Sequence, residues 1–556
     1  MRKFSNAAAA FHTAALAIAS DLNFYSKRKR DTRLECAEDI LAELVKDHGL
    51  TGEFEAADLV SWLQDNKPVK QAATRQTVNK LSADTMIGQQ QSRLDDLPIL
   101  DGQAFVITAA QNNTTVNAGC LEALKGVAEN IGAQLVVLPV YYNKNAFSAV
   151  KESEAERFDD ALAEYLLLQD SFLFSNTAVK LAAEAAILPT AKLPVNAAKQ
   201  LNSGEGLTIV ASPKQQVETM PMLPDTGIRA GVSTGVCTDY NYIRGRAGSE
   251  AETDHTFGGL VVYKTNTGTQ FVNLQYREGR IEYVIPTDSQ GDIYQDIYGS
   301  SVMKLGDLHC EMFDSKCWNT TIQLLRQIRP DFVAVEDVLH FSSRSHHNRH
   351  SGKHLYSAQG QTVLDELNQV IRQLNQLAQI VPDVYVTESN HNSALDVWLD
   401  DKTYSPKTDP VNAKLYYLIN WAVCEAIDSE QDSAVALELA IQLESQLSGL
   451  EPLADNIRFG RGHLSEVQNG CEMSQHGHKG QNGSFGSPKL FSKWGTVLAT
   501  GHTHSPALIG RVVTAGVTAR KDQGYNRLGA SSWAQADAII FSNGAQQLLF
   551  KEEFPA

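Results

Sequence analysis

No apolar run in this chain reaches the roughly 18 residues that crossing a bilayer takes, so nothing in it reads as a membrane span. Cysteine is scarce as well. The seven residues, at 36, 120, 237, 310, 317, 424 and 471, are odd in number, scattered, and form no CxxC pair. That argues against a disulfide framework and a zinc knuckle, and for reduced thiols in a cytosolic protein. Phosphate-loop and dinucleotide fingerprints are missing. So is any excess of basic charge: 48 Lys and Arg stand against 65 Asp and Glu, a net charge of −17. Such a protein does not simply coat nucleic acid, because bulk repulsion lowers encounter. It can still act on phosphates where divalent cations fill a carboxylate-lined site and a local basic strip offsets the field.

At 556 residues the chain exceeds one typical domain. We divide it into a helical region, 1–95, an α/β accessory domain, 96–298, and an α/β domain, 299–556. The start, Met1-Arg2-Lys3 and an Ala-rich stretch to Ser20, has the outline of a secretion signal, but Asn6, His12 and Thr13 interrupt it, and a helix is expected. Helical spacing recurs from Ala37 to Val45 and from Phe54 to Leu63, with a basic run at Lys27-Arg28-Lys29-Arg30 between the first two helices. After the polar stretch 89–96, a strand at 104–109, a helix at 117–131 and a strand at 134–139 form a strand-helix-strand unit. Helices are expected near 158–169 and 177–187, a strand at 207–211, and antiparallel strands at 258–263, 270–275 and 281–285.

From about residue 300 the rhythm becomes regular. Short strands at 302–305, 332–335, 384–386 and 496–499 alternate with helices at 318–328, 362–379, 412–427 and 433–448. Each strand ends on residues able to hold a metal: Asp307 and His309, Asp337, Asn390 and His391, and His502 and His504; His476 and His478 sit in a polar loop. Strand C-ends are where an α/β sheet opens its cleft. Mixed carboxylate, amide oxygen and imidazole ligands suit a pair of divalent ions, a common device for cutting phosphate esters. Asp337, the lone Asp after its strand, is the natural bridge.

The string Asp307-Leu-His309, Glu336-Asp337, Ser389-Asn390-His391-Asn392, His476-Gly-His478 and Gly501-His502-Thr-His504 resembles the calcineurin-like metallophosphoesterases. The resemblance covers roughly residues 300–545. It implies an αββα sandwich with one metal on Asp307, His309, Asp337 and His504, and the other on Asp337, Asn390, His476 and His502. It also implies that His391 sits beside the scissile phosphate. Three departures stand out: Glu336 and Ser389 replace glycines, and Asn392 replaces an acid. None removes a ligand. The ligand chemistry, without thiolate, favours Mn2+, with Mg2+, Fe2+ or Zn2+ as alternatives.

His340, three residues after Asp337, matches the SbcD-type nuclease branch, where that His serves phosphodiester cleavage and substrate placement. Behind it come Arg344, His346, His347, Arg349, His350, Lys353 and His354, and we take Arg344, Arg349 and Lys353 as candidate phosphate contacts. The whole chain resembles the pre-early host-DNA-degradation proteins of T-five-type coliphages. The grounds are its size, a phosphoesterase C-terminal half, and an N-terminal half without an SbcC-type ATPase. The resemblance implies a manganese-dependent DNase acting on double-stranded DNA in the bacterial cytoplasm. Self-association and contacts with other phage or host proteins stay open. The competing readings are a phosphoesterase for a small nucleotide or phosphoprotein, and a binding protein with a relic metal site.

Overall fold

The computed structural model describes residues 9–21, 30–48, 50, 54–65, 97–142, 157–174, 178–201, 204–223, 226–287, 293–344, 351–357, 361–429, 435–445, 449–524 and 526–555. They fall into two compact units, Met1–Asp96 and Leu97–Ala556. In the first, the helices Ala9–Asp21, Arg30–His48 and Ala56–Asp65 bury Ile18, Ile40, Leu44, Leu59 and Leu63 against one another. His12 stacks on Trp62 with ring centroids 4.5 Å apart. Lys27, Arg28, Lys29 and the stretch 89–96 lie outside the described residues.

The second unit is mixed α/β. Its central sheet has six strands in the order Ile457–Phe459, Asp383–Val386, Phe332–Val335, Val302–Lys304, Ala536–Ile540 and Gln546–Phe550. The first four run parallel, and Ala536–Ile540 closes against Val302–Lys304 antiparallel. Strands buried on both faces must read as apolar runs, and each residue chooses its side by alternation. Val333 and Val335 face one core, with the helices Ser315–Ile328 and Val363–Ala378; Phe332 and Ala334 face the other. These two helices start where the sequence offers caps. Asp314 accepts from Lys316 and Cys317 N–H, and Thr362 forms a capping box with Asp365.

The second core is shared with an eleven-stranded sheet, which packs face to face on the first. Leu498 and Val512 of this sheet turn outward onto Phe491 of the short helix Pro488–Phe491, while Ala499 and Val513 turn inward. Helices thus lie outside both sheets. A five-stranded sheet holds Ala104–Gln111, Gln134–Val140, Gly258–Lys264, Thr269–Arg277 and Arg280–Ile281. The antiparallel pair predicted at 258–263 and 270–275 is present, with Thr269 opposite Lys264.

Three expectations are corrected. The limit at 298/299 is not a boundary between compact units. Ser212–Thr219 pairs with Ala507–Ile509, so strands from both sides of that limit share the eleven-stranded sheet. Residues 158–169 hold only the 3₁₀ turn Asp160–Leu162, because the edge strand engages their backbone: Val137 N–H donates to Tyr165 C=O and Leu167 N–H donates to Val137 C=O. Within 177–187 lies the strand Val179–Ala182, parallel to Gly206–Val210. Val179 and Leu181 point into the core while Lys180 pairs with Asp170 at 3.2 Å, a period of two that overrides helical propensity.

Candidate metal centre

The loops that follow the parallel strands are knitted to one another rather than left to solvent. His309 N–H donates to Asp337 C=O at 2.7 Å, Leu308 N–H to Glu336 C=O at 3.0 Å, and Gly501 N–H to His476 C=O at 2.8 Å. His309, Asp337, His502 and His504 all have positive φ, between 39° and 66°. For non-glycine residues this left-handed region is strained, and such strain persists only where the surroundings over-determine it. Here it accompanies the turning of His309, Asp337 and His504 onto one point.

That point is buried. Asp307, His309, Asp337 and His504 bring one ligand atom each within 4.8 Å of the others. His504 Nε2 lies 2.9 Å from Asp307 Oδ2 and 3.0 Å from His309 Nε2. Asp337 Oδ2 faces two ways, 3.7 Å from His309 Nε2 and 3.4 Å from His476 Nε2. It is buried and has no hydrogen-bond donor among the described residues. On its second side, His476 Nε2 is 2.9 Å from Asn390 Oδ1, and the His502 ring lies 5.1 Å from the His476 ring. Asp307, His309, Asp337 and His504 thus form one buried group, and His476, Asn390 and the His502 ring lie beside it.

The donor set fits cations. Buried carboxylates and imidazole nitrogens turned toward one another lack a positive partner. Burial alone would raise the Asp337 carboxyl, yet His476 and His391 hold it well below the usual range. Burial opposes the imidazolium of His476, yet Asp337 and Glu336 hold its protonation well above the usual histidine range. That proton stands where a cation would supply the same charge. Burial pushes His309 well down, so its imidazole is neutral, as a ligand must be.

Beneath the centre lies a residue that stands out in the sequence only as a departure. Glu336 is fully buried, its Oε2 2.7 Å from Lys304 Nζ and 3.3 Å from His476 Nδ1. A carboxylate on the far nitrogen of a ligand histidine fixes its tautomer and orientation. Lys304 also donates to Thr387 Oγ1 and Met473 C=O, each at 3.1 Å. A second buried pair, Lys551 with Asp537 at 2.8 Å, holds the other side, where Gly306 N–H donates to the same Asp537 at 2.9 Å. The signal for Glu336 is its place beside Asp337; its partner Lys304, inside an apolar strand, offers none.

Gly501 is required by close approach. A Cβ there collides with the carboxylates of Glu336 and Asp307. Gly501→Ala is expected to displace both groups and to weaken metal binding sharply while far-UV circular dichroism stays near wild type. Metal titration by calorimetry checks this, and unchanged affinity would show that the carboxylates move freely.

His340 is 7% exposed, with Nδ1 3.1 Å from His309 Nδ1 and its ring stacked on His391 at 5.3 Å. If His309 Nε2 takes a metal, His309 Nδ1–H must donate to His340 Nδ1. His340 then braces a ligand through Nδ1, and burial pushes its pKa down to about 3. His391 is only half-buried, and its Nδ1 lies 3.4 Å from His340 C=O. Asn392 Nδ2 donates to Thr387 C=O at 3.2 Å and Oδ1 accepts from Leu339 N–H at 3.3 Å, a brace between two loops that a carboxylate cannot make from both ends. His478 is half-buried beside His476, and burial pushes it down to about 4.

Of the expected basic strip, only Arg344, Lys353 and His354 lie among the described residues, and Arg344 is taken up within the protein. Arg344 makes a two-pronged pair with Asp409, both contacts 2.8 Å, and a third bond to Ser343 C=O, so its guanidinium is engaged internally. Lys353 is exposed on the helix Gly352–Ser357, while Arg349, His346, His347 and His350 lie outside the described residues.

A mixed α/β unit carrying a buried histidine–carboxylate centre able to hold metal is thus the class that fold and site define. No protein-family model matches the chain. Protein A1 of Escherichia phage T5 is 36% identical over 555 residues, 97% of this chain and 97% of that protein. The chain belongs to the family of that phage protein. No helix among the described residues is long and apolar enough to cross a membrane.

Proposed function

We propose that this chain is a phage-encoded metallophosphoesterase of the calcineurin-like class, working as a DNA nuclease that hydrolyses phosphodiester bonds with two divalent ions, Mn2+ foremost, in the bacterial cytoplasm. The observation that carries this reading is Asp337 Oδ2, buried, without a donor, and facing His309 on one side and His476 on the other. Asp307, His309, Asp337 and His504 would hold one ion, and Asp337, Asn390, His476 and His502 the other. When bound, the ions supply charge neutralisation at the phosphoryl oxygens and activation of a water.

The chain's own residues do the rest. Asp307 is fixed by two contacts from His502 N–H, at 3.0 and 3.3 Å, and Asp337 Oδ1 receives His391 N–H at 3.3 Å. These bonds leave less freedom to the carboxylates and keep the ligand sets apart. His391, with Nδ1 held against a carbonyl, offers Nε2 to substrate. Protonated there, it donates to the leaving oxygen or stabilises charge building on phosphorus. His391→Ala is expected to keep metal binding and to lower turnover about 10²–10⁴-fold; loss of both metals instead would make it a ligand.

DNA as the substrate rests on the similarity of the Asp337-to-His340 spacing to the SbcD-type nucleases. The test is purified protein with linear duplex, circular duplex and p-nitrophenyl phosphate, each with manganese, magnesium or zinc. Cleavage of DNA with manganese supports the nuclease. Turnover of the small ester alone points to the second reading, a phosphoesterase for a nucleotide or phosphoprotein.

A further inference from the structure

Between Glu472 and Asp522 the chain contains no Asp or Glu, although the whole protein carries a net charge of −17. The same stretch holds Lys479, Lys489, Lys493, Arg511, Arg520 and Lys521. It also supplies His476, His502 and His504, so the segment that carries three of the candidate ligands brings basic side chains and no acidic ones of its own. Cations left unpaired on such a segment would attract a polyanion toward the centre.

Its most projecting part is a hairpin beginning beside His476. Lys479 and Phe485 face each other across a bridge. Gly480 N–H donates to Ser484 C=O at 2.6 Å, and Gly486 N–H to His478 C=O at 3.2 Å. The base is seated on the ligand loop: a Cβ at Gly477, which has φ of 113°, would lie 3.3 Å from Gly501 C=O. Gly486 lets the other limb close on Phe491 of the helix Pro488–Phe491. The hairpin is therefore tied to the metal centre at one end and to a helix at the other. At its outer end Phe485 is 94% exposed and Lys479 is exposed, with Gln481, Asn482 and Ser484 beside them. Lys489 pairs with Glu218, and Lys521 with Glu552. Lys479 and Lys493 are exposed and form no ion pair with any described residue.

We infer that this hairpin, together with Lys493, is the surface that takes the polynucleotide: Lys479 and Lys493 meet backbone phosphates and Phe485 stacks on a base. An aromatic face is sequence-tolerant, because every base has a π-face, and cations beside it track the backbone. The inference rests on the nuclease reading above. It moves the phosphate-contacting surface from the 340–354 segment, where Arg344 is engaged by Asp409, to the opposite set of ligand loops.

The test uses the full-length, metal-loaded protein and its variants Phe485→Ala and Lys479→Ala/Lys493→Ala. Binding to a nuclease-resistant phosphorothioate oligonucleotide is measured against salt, as a single strand and as a duplex. Phe485→Ala is expected to weaken single-strand binding about tenfold. The double lysine variant is expected to flatten the salt dependence by roughly 0.7–0.9 in log–log slope for each phosphate no longer neutralised. Hydrolysis of bis-p-nitrophenyl phosphate, which offers neither base nor phosphate chain, is expected to keep its wild-type rate. If wild type cuts DNA and both variants bind with unchanged affinity and slope, the hairpin inference fails and the nuclease stands. If wild type hydrolyses the small ester and neither binds nor cuts DNA, the nuclease reading falls and takes the inference with it.

Discussion

Asp337→Asn is expected to abolish DNA cleavage and to empty both halves of the metal centre. One carboxylate oxygen faces His309 at 3.7 Å and His476 at 3.4 Å. An amide keeps the shape but removes the charge, and it can present an N–H donor where a cation must sit. Inductively coupled plasma mass spectrometry of the purified variant, read beside a DNase assay, checks the expectation. Full activity with two metals bound would refute the assignment. Stability of the metal-free protein should fall, because His476 and His391 favour the ionised carboxylate and lose that partner.

Glu336→Ala is expected to act on both stability and metal affinity. It leaves Lys304, fully buried, with only a hydroxyl and a carbonyl for its ammonium group. Removing one partner of a buried ion pair costs about 3–5 kcal/mol, because the remaining charge is uncompensated. The same change frees His476 Nδ1, and loss of such a support lowers metal affinity about 10–100-fold. The double variant Lys304→Met/Glu336→Leu separates the effects. Apolar replacement of the pair is expected to restore most of the stability, measured by chemical denaturation, while metal affinity stays low. A single variant as stable as wild type would mean that Lys304 finds water, and the pair would then be no brace.

Much of the centre is legible in the sequence because chemistry constrains ligand types and strands constrain their spacing. The predicted ligands end apolar runs or sit in a polar loop, and Asp307, His309, Asp337 and His504 are positions that the fold brings together. What stays hidden depends on partners distant in sequence. Arg344 reads as a phosphate contact by its neighbours, but Asp409, 65 residues on, takes both prongs of its guanidinium. His340 reads as a group for substrate, but its Nδ1 stands against His309. The strand Val179–Ala182 reads as helix because a short Ala-rich run satisfies both periods, and only pairing with Gly206–Val210 decides between them. The division at 298/299 fails for a similar reason: a change of rhythm in sequence does not reveal whether two segments share a sheet.

That shared sheet governs the order of events during synthesis. Ser212–Thr219 must wait, with one edge unpaired, until Ala507–Ile509 has been made. Asp307 must wait likewise for His504. A nascent chain therefore carries no assembled centre until nearly its whole length is available, and long-range pairing of this kind is slow. A chain that stops before His504 lacks a ligand of the centre, and one that stops before Ala536–Ile540 leaves Val302–Lys304 with an unpaired edge.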